Sequence, residues 1–284
     1  VGTLGGAKLL IRPLNKNFEL QIVGVDFSGA ARAGRKIWLA LGVAAGATLR
    51  IDRLVRAADL PGGGAERGSA VAALRTWIAG CGEAVIGLDL PLALPLALMG
   101  GGGWDEWVRA FADRYPSADA FRTACRQAAG GREVRRRADI EARVPFAAYN
   151  LRLYRQTFYG LRDLVAPLAC DGCAAVLPMQ APLAGRPRII EICPASTLKR
   201  LGLYRSYKGR GAAQRAARDS LLAALERDAP LRIPPAAREA ALADGEGDAL
   251  DSLVAALAVF RNLHAPGGFA PRDPLEQQEG RVYV

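Results

Sequence analysis

The chain has 284 residues, with 38 Lys and Arg against 28 Asp and Glu for a formal charge of +10, and 51% of it is hydrophobic. These proportions exclude disorder and collagen-like repeats and put the chain near the upper size for one hydrophobic core. The single histidine, His264, argues against Ser-His-Asp triads, Cys-His dyads and His-rich zinc sites, whereas the carboxylates are the ligands that Mg²⁺ and Mn²⁺ prefer.

Residues 1–17 form an N-terminal tail with no continuous apolar stretch after a basic start, so no signal peptide is expected. Leu20 to Phe27 reads as a buried strand that stops at Ser28-Gly29. Lys36 to Val43 and Thr48 to Val55 follow at hairpin spacing, giving a three-stranded meander. Arg67 to Ala79 has helical spacing at Val71, Leu74 and Ile78, and Glu83 to Leu90 is a fourth strand that ends before Pro91. The fifth strand, Pro187 to Ile192, comes almost a hundred residues later, although a simple crossover needs only about a dozen. The interval therefore contains an insertion, helical and arginine-rich, over about residues 100–180. Helices then follow over Ala195 to Leu201, Ala212 to Glu226, Pro235 to Leu242 and Gly247 to Leu263, and Gly280 to Val284 holds a short terminal strand. The expectation is a single α/β domain over residues 18–284, a mixed sheet covered by helices.

Five cysteines, an odd number without regular spacing, fit a reducing cytoplasm. Cys170-Asp-Gly-Cys173 lacks a second Cys/His pair and reads as a turn. The apolar run Ala84 to Met99 is broken by Asp89, Pro91 and Pro95, which excludes a membrane span there.

Three carboxylates sit inside apolar strands: Val25-Asp26-Phe27, Leu88-Asp89-Leu90 and Ile190-Glu191-Ile192. Two more, Asp248 and Asp251, share one face at the start of the apolar final helix. An ionised carboxylate buried without a partner costs several kcal/mol or more, so each needs a cation, hydrogen bonds or an exposed strand end. Each also has a local alternative. Asp26 could close a turn with Ser28 and Gly29, Asp89 could cap the backbone before Pro91, Asp248 could be a helix N-cap and Asp251 could complement the helix dipole. If the first, fourth and fifth strands are parallel neighbours, however, their C-terminal ends converge where open sheets bind ligands, and the final helix can reach the same point. Carboxylates crowded there repel one another, and divalent cations relieve the repulsion. Two such ions about 3.5–4 Å apart would activate a water and stabilise the leaving oxygen of a phosphodiester.

Arg109 to Arg162 holds twelve Arg against five acids, a net of +7, interleaved with Tyr115, Tyr149, Tyr154 and Tyr159. It is either a phosphate-binding surface or a set of solvated helix faces. Tyr204 to Arg210 is a candidate backbone clamp or a plain surface loop, and Trp104 and Trp107 read as core of the insertion. The glycine clusters at 62–64 and 100–103 match no nucleotide fingerprint.

The pieces Val23-Gly-Val-Asp-Phe-Ser-Gly29, Gly87-Leu-Asp-Leu-Pro-Leu92, Ile190-Glu-Ile-Cys-Pro194, Ser206-Tyr-Lys208 and Gly247-Asp-Ala-Leu-Asp-Ser-Leu-Val-Ala-Ala256 resemble domain-of-unknown-function family 429, predicted nucleases of the ribonuclease H-like superfamily. The last piece is also similar to the C-terminal helix of Holliday-junction resolvases. The resemblance runs from about residue 20 to the end. It implies a ribonuclease H-like mixed five-stranded sheet of order 3-2-1-4-5, flanked by helices; the large helical insertion read from the spacing falls between strands 4 and 5 and has no counterpart in minimal ribonuclease H domains. It further implies Mg²⁺ or Mn²⁺ held by Asp26, Asp89, Glu191, Asp248 and Asp251. Ser28, Lys208 and Arg135, Arg136 and Arg137 are then the candidate substrate contacts, with DNA or RNA as partner and no membrane. Two other classes stay open: an ATP-using phosphotransferase of the actin and sugar-kinase type, and a non-catalytic module that binds nucleic acid.

Overall fold

A computed structural model of the chain describes residues 20–284; the N-terminal tail, residues 1–17, lies outside the described residues. Eight strands form one sheet: β1 (Leu20–Asp26), β2 (Trp38–Ala45), β3 (Thr48–Arg56), β4 (Ala84–Asp89), β5 (Ala175–Val176), β6 (Arg188–Ile192), β7 (Leu231–Arg232) and β8 (Val282–Tyr283). Their order is β5-β6-β4-β1-β2-β3-β7, with β8 also paired to β6. This differs from the expected five-stranded 3-2-1-4-5. Two-residue strands extend both edges, and the expected fifth strand is β6, because Ala175–Val176 pairs in parallel with it and precedes it in the chain. β1, β2 and β3 are antiparallel in succession, whereas β4 runs parallel to β1 and β6 parallel to β4.

Successive side chains of a strand point to opposite faces, so the sheet separates two apolar layers. On one face Val23, Val25, Phe27, Ile86, Leu88 and Leu90 join the helix Arg67–Ala79 and the insertion. On the other, Ile22, Val85, Ile190 and Ile192 join the helices Ala212–Asp228, Pro235–Ala243 and Asp248–Leu263. The final helix, Asp248–Leu263, is buried almost throughout and lies directly on β1, which its near-continuous apolar sequence requires. Gly24 makes this approach possible: a Cβ there would stand 2.1 Å from the Ser252 carbonyl oxygen and 2.2 Å from the Ala256 nitrogen.

The segment between β4 and β6 is helical, including Gly103–Arg109, Ala118–Ala128, Arg137–Glu141 and Tyr154–Gly160. Its aromatics Trp107, Phe111, Tyr115, Phe121 and Phe158 stack on one another and continue the apolar layer under β1 and β4. Trp104 and Trp107 are core residues, as their spacing suggested. Among the described residues no helix is long and apolar enough to cross a membrane.

Candidate functional site

β1 and β4 end together. Asp26 is the parallel-register partner of Asp89 and the antiparallel partner of Trp38. Laterally paired residues project to the same face, and counting by twos from Ile22 and Val85 puts Asp26 and Asp89 on the face that carries the final helix. That helix presents Asp248 and Asp251 in its first turn, three residues apart and hence on one side. One carboxylate oxygen each of Asp26, Asp248 and Asp251 lie within 4.8 Å of one another.

The helix start explains why these two acids are directed at the sheet. The expected capping role of Asp248 belongs to Asp244, whose Oδ2 accepts a hydrogen bond from the Ala249 N–H at 2.8 Å, while Gly247 occupies the cap position itself. Nor does Asp89 cap the backbone near Pro91: the Leu92 N–H donates to Glu191 Oε2 at 2.8 Å.

The cluster is electrostatically frustrated. Burial, followed by the charges of Asp251, Asp248 and Asp89, holds the Asp26 carboxyl well above the usual carboxylate range. Burial and then Asp251 push Asp89 up to about 7, and burial and the neighbouring Asp244 and Asp251 push Asp248 up to about 6. Lys208 opposes all three: its Nζ lies 2.7 Å from Asp251 and 3.7 Å from Asp248. Burial works against the ammonium charge, yet Asp251 and Asp26 keep Lys208 protonated beyond the ordinary lysine range. The other Asp251 oxygen accepts a short hydrogen bond from the Tyr207 hydroxyl.

The Tyr207–Lys208 loop is fixed from behind by Arg218, a buried guanidinium that donates to the carbonyls of Tyr207 (2.8 Å), Gly209 (2.9 Å) and Leu242 (2.9 Å). Tyr207 lies inside a recognised motif. Arg218 and Asp244 carry no such signal: one reads as an ordinary helix arginine and the other as a turn acid.

Two of the expected site residues belong elsewhere. Glu191 is paired in register with Leu88, not Asp89, so it projects to the insertion face, opposite the final helix. There both its oxygens are engaged by Arg136, and one also accepts from the Leu92 N–H. Glu191 is thus not part of the three-carboxylate group, although its charge still bears on Asp89. Arg136 is not a surface contact for substrate: it is 1% exposed, and Asp139 and Glu191 share its guanidinium. Of its neighbours, Arg135 donates to the Val144 carbonyl and Arg137 pairs with Asp273 at 2.7 Å and with Glu141. Ser28 lies two residues beyond Asp26 and accepts from the Ala30 N–H at 3.3 Å, in a turn pressed against the insertion. Gly29 is required there, since a Cβ would come within 2.6 Å of the Arg155 backbone. His264 caps the far end of the final helix, its Nδ1 2.9 Å from the Phe260 carbonyl oxygen.

The sequence profile of the family described as Protein of unknown function (DUF429) matches residues 24–273. The chain belongs to the DUF429 family. The matched span of this DUF429 protein contains all four clustered aspartates together with Tyr207, Lys208 and Arg218. No curated protein and no solved structure matches the chain.

Proposed function

We propose that this protein is a Mg²⁺- or Mn²⁺-dependent phosphodiester hydrolase acting on DNA or RNA, with a ribonuclease H-like sheet as scaffold and the cytoplasm as its compartment. The observation that carries the reading is the approach of Asp26, Asp248 and Asp251 to within 4.8 Å, with Asp89 alongside in register. The donors are all carboxylate oxygens, the set that hard divalent cations take and that soft metals do not. Two strand ends and a helix force the charges together, and burial raises the cost of leaving them unpaired. Asp26, Asp248 and Asp251 would hold the ion, and Asp89 would complete the set. Divalent ions bound there would polarise the phosphoryl group and assist attack by water.

The remaining roles fall to the chain itself. Tyr207 orients Asp251 through its hydroxyl, and Arg218 orients Tyr207 through the backbone. The Lys208 side chain is 53% exposed, so its ammonium can leave Asp251 for an incoming anion when a cation takes its place. Asp26 and Asp89 end neighbouring parallel strands, the edge at which open sheets take ligands; Asp26 is buried there and Asp89 half-buried.

Purified protein with Mn²⁺ is expected to cut a fluorescent oligonucleotide, and EDTA or Asp26→Asn to abolish the cut. Cleavage that persists in Asp26→Asn would reject the assignment. A second reading, a non-catalytic binding module, is favoured by one contact: Lys208 and Tyr207 together occupy both oxygens of Asp251. Under that reading Mn²⁺ neither binds nor alters the melting temperature.

A further inference from the structure

Two clefts flank the four aspartates, and neither is lined by Arg135, Arg136 or Arg137. The first, of about 540 Å³, opens on the final-helix side of the sheet and is lined by Arg35, Lys36, Arg56, Arg210, Arg215 and Arg218, with Asp244 and Glu246 as its acids, so 6 − 2 leaves +4. The second, of about 350 Å³, opens on the insertion side. Its charged residues are Arg67, Arg152, Arg155 and Asp119, so 3 − 1 leaves +2, and Ser28 and Tyr159 also line it.

The register connects the clefts to the carboxylates. Asp89, Asp26, Trp38 and Arg56 are successive lateral partners across β4, β1, β2 and β3. Adjacent strands are about 4.8 Å apart, so the Arg56 backbone lies roughly 10 Å from that of Asp26. The Arg56 guanidinium is stacked 4.5 Å over the buried Trp38 ring, which holds the cation on that row. On the other flank, Gln156 of the second cleft donates to the Asp89 carbonyl oxygen, and Arg67 is stacked 3.4 Å over Tyr159 while donating to the Gly29 carbonyl. The connection from β1 to β2 borders both: it contributes Ser28 to one cleft and Arg35 and Lys36 to the other.

Lys36 and Arg210 pair with Glu246 and Arg215 with Glu239, but the remaining cleft arginines are available. Arg35, Arg56, Arg67, Arg152 and Arg155 form no ion pair among the described residues, and Arg35, Arg56, Arg152 and Arg155 are exposed. Arg218 is buried with carbonyl partners only, so its charge is not cancelled locally. Cations set on both sides of an anionic centre suit a ligand that is itself polyanionic and longer than the centre. A nucleic-acid strand has that form, since its phosphates beyond the central one need neutralising without metal.

We infer that the sugar-phosphate backbone of a single nucleic-acid strand crosses the rim of the sheet, its phosphates held by the Arg35–Arg56 cleft on one side of Asp26 and by the Arg152–Arg155 cleft on the other. The inference rests on the hydrolase reading for which phosphate lies at the aspartates, but not for binding itself.

Binding is therefore measured in EDTA, by fluorescence anisotropy of a labelled single-stranded oligonucleotide across a salt series. Each of the double variants Arg35→Ala/Arg56→Ala and Arg152→Ala/Arg155→Ala is expected to weaken binding about tenfold or more. Each should also flatten the log–log salt slope by about 1.4, two contacts at about 0.7 each. Arg227→Ala, at the far end of the helix Ala212–Asp228, should match the wild type. Circular dichroism melts establish that the variants fold, and the single variants Arg35→Ala and Arg152→Ala, with half the expected change in salt slope, replace a double variant that does not. Wild-type affinity and slope in the folded cleft variants would overturn the inference, as would capture by phosphatidylglycerol vesicles without oligonucleotide binding. If the variants lose binding but the wild type with Mn²⁺ cuts nothing, the strand path stands and the hydrolase reading fails.

Discussion

Replacing Asp26 by Asn tests the carboxylate cluster most directly, because the variant is expected to be more stable than the wild type without metal and blind to metal when it is added. The Asp26 carboxylate has an oxygen within 4.8 Å of both Asp248 and Asp251. At an effective dielectric constant of about 20, each such pair of full charges repels by about 3 kcal/mol. Asparagine removes these two repulsions and a third from Asp89, against a smaller attraction to Lys208, so where the cluster is ionised the net gain is at least about 3 kcal/mol, or about 6 °C in a chain of this length. The gain depends on pH in a definite direction. In the folded chain Asp89 and Asp248 ionise at about 7 and about 6 instead of 3.8, so between pH 4 and 7 the folded form binds more protons than the unfolded one. Wild-type stability therefore falls as pH rises through that window, and the fall is shallower in the variant because a neutral residue 26 lets its neighbours ionise more readily. The assay is scanning calorimetry in EDTA from pH 5 to 8.5, repeated at pH 8 with Mn²⁺. At an ion concentration about 100 times Kd the wild type should gain about 2.7 kcal/mol and the variant nothing. A variant that melts below the wild type at pH 8 and keeps the full Mn²⁺ response would refute both the repulsion and the ligand role.

Three further outcomes follow from the same geometry. Lys208→Met removes the ammonium that competes for Asp251, so calorimetric Mn²⁺ affinity should rise roughly tenfold while the metal-free protein loses stability at pH 8; unchanged affinity would mean that Lys208 does not compete with the metal. Glu191→Gln breaks a buried pair with Arg136 and should cost about 3–5 kcal/mol, with Mn²⁺ affinity in the folded fraction kept within about twofold. An affinity loss as deep as that of Asp26→Asn would return Glu191 to the ligand set. Gly24→Ala drives a methyl group into the Ser252 carbonyl and must displace the final helix, costing roughly 3 kcal/mol or more and weakening Mn²⁺ binding with it; a wild-type melting curve would show that the helix is free to shift.

Much of this was readable before any coordinates. The strand pattern and the two helix acids identify Asp26, Asp89, Asp248 and Asp251, because a charge inside an apolar run marks itself. Glu191 has the same local signature, Ile-Glu-Ile, and differs only in parity: β6 is set against β4 so that Glu191 is level with Leu88. A one-residue change of register moves a side chain to the other face of a sheet, and nothing within a five-residue strand specifies which register its parallel neighbour imposes. The arginines fail as signals for the opposite reason, abundance. Arg136 stands in a run of three and is the buried member, because only its guanidinium reaches Asp139 and Glu191 together. The short strands at the sheet edges contribute two residues each, too few for any periodicity to show.

The two faces of the sheet give a reason for the different fates of these acids. On the insertion face Glu191 meets Arg136, a fixed, planar partner that satisfies both its oxygens, so that carboxylate is settled by the protein itself. On the final-helix face the four aspartates meet chiefly Lys208, whose flexible stem and half-exposed head make the neutralisation incomplete and reversible. A protein that needed these acids only for packing had the insertion-face solution available and used it on the neighbouring strand β6. Partial neutralisation by a displaceable ammonium stabilises the fold less; on the proposed hydrolase reading, it leaves carboxylate oxygens for a small, highly charged cation to take. Such an affinity would be drawn from repulsion already built into the folded chain, and Mn²⁺ titration into the wild type and Asp26→Asn is the measurement that finds it or rejects it.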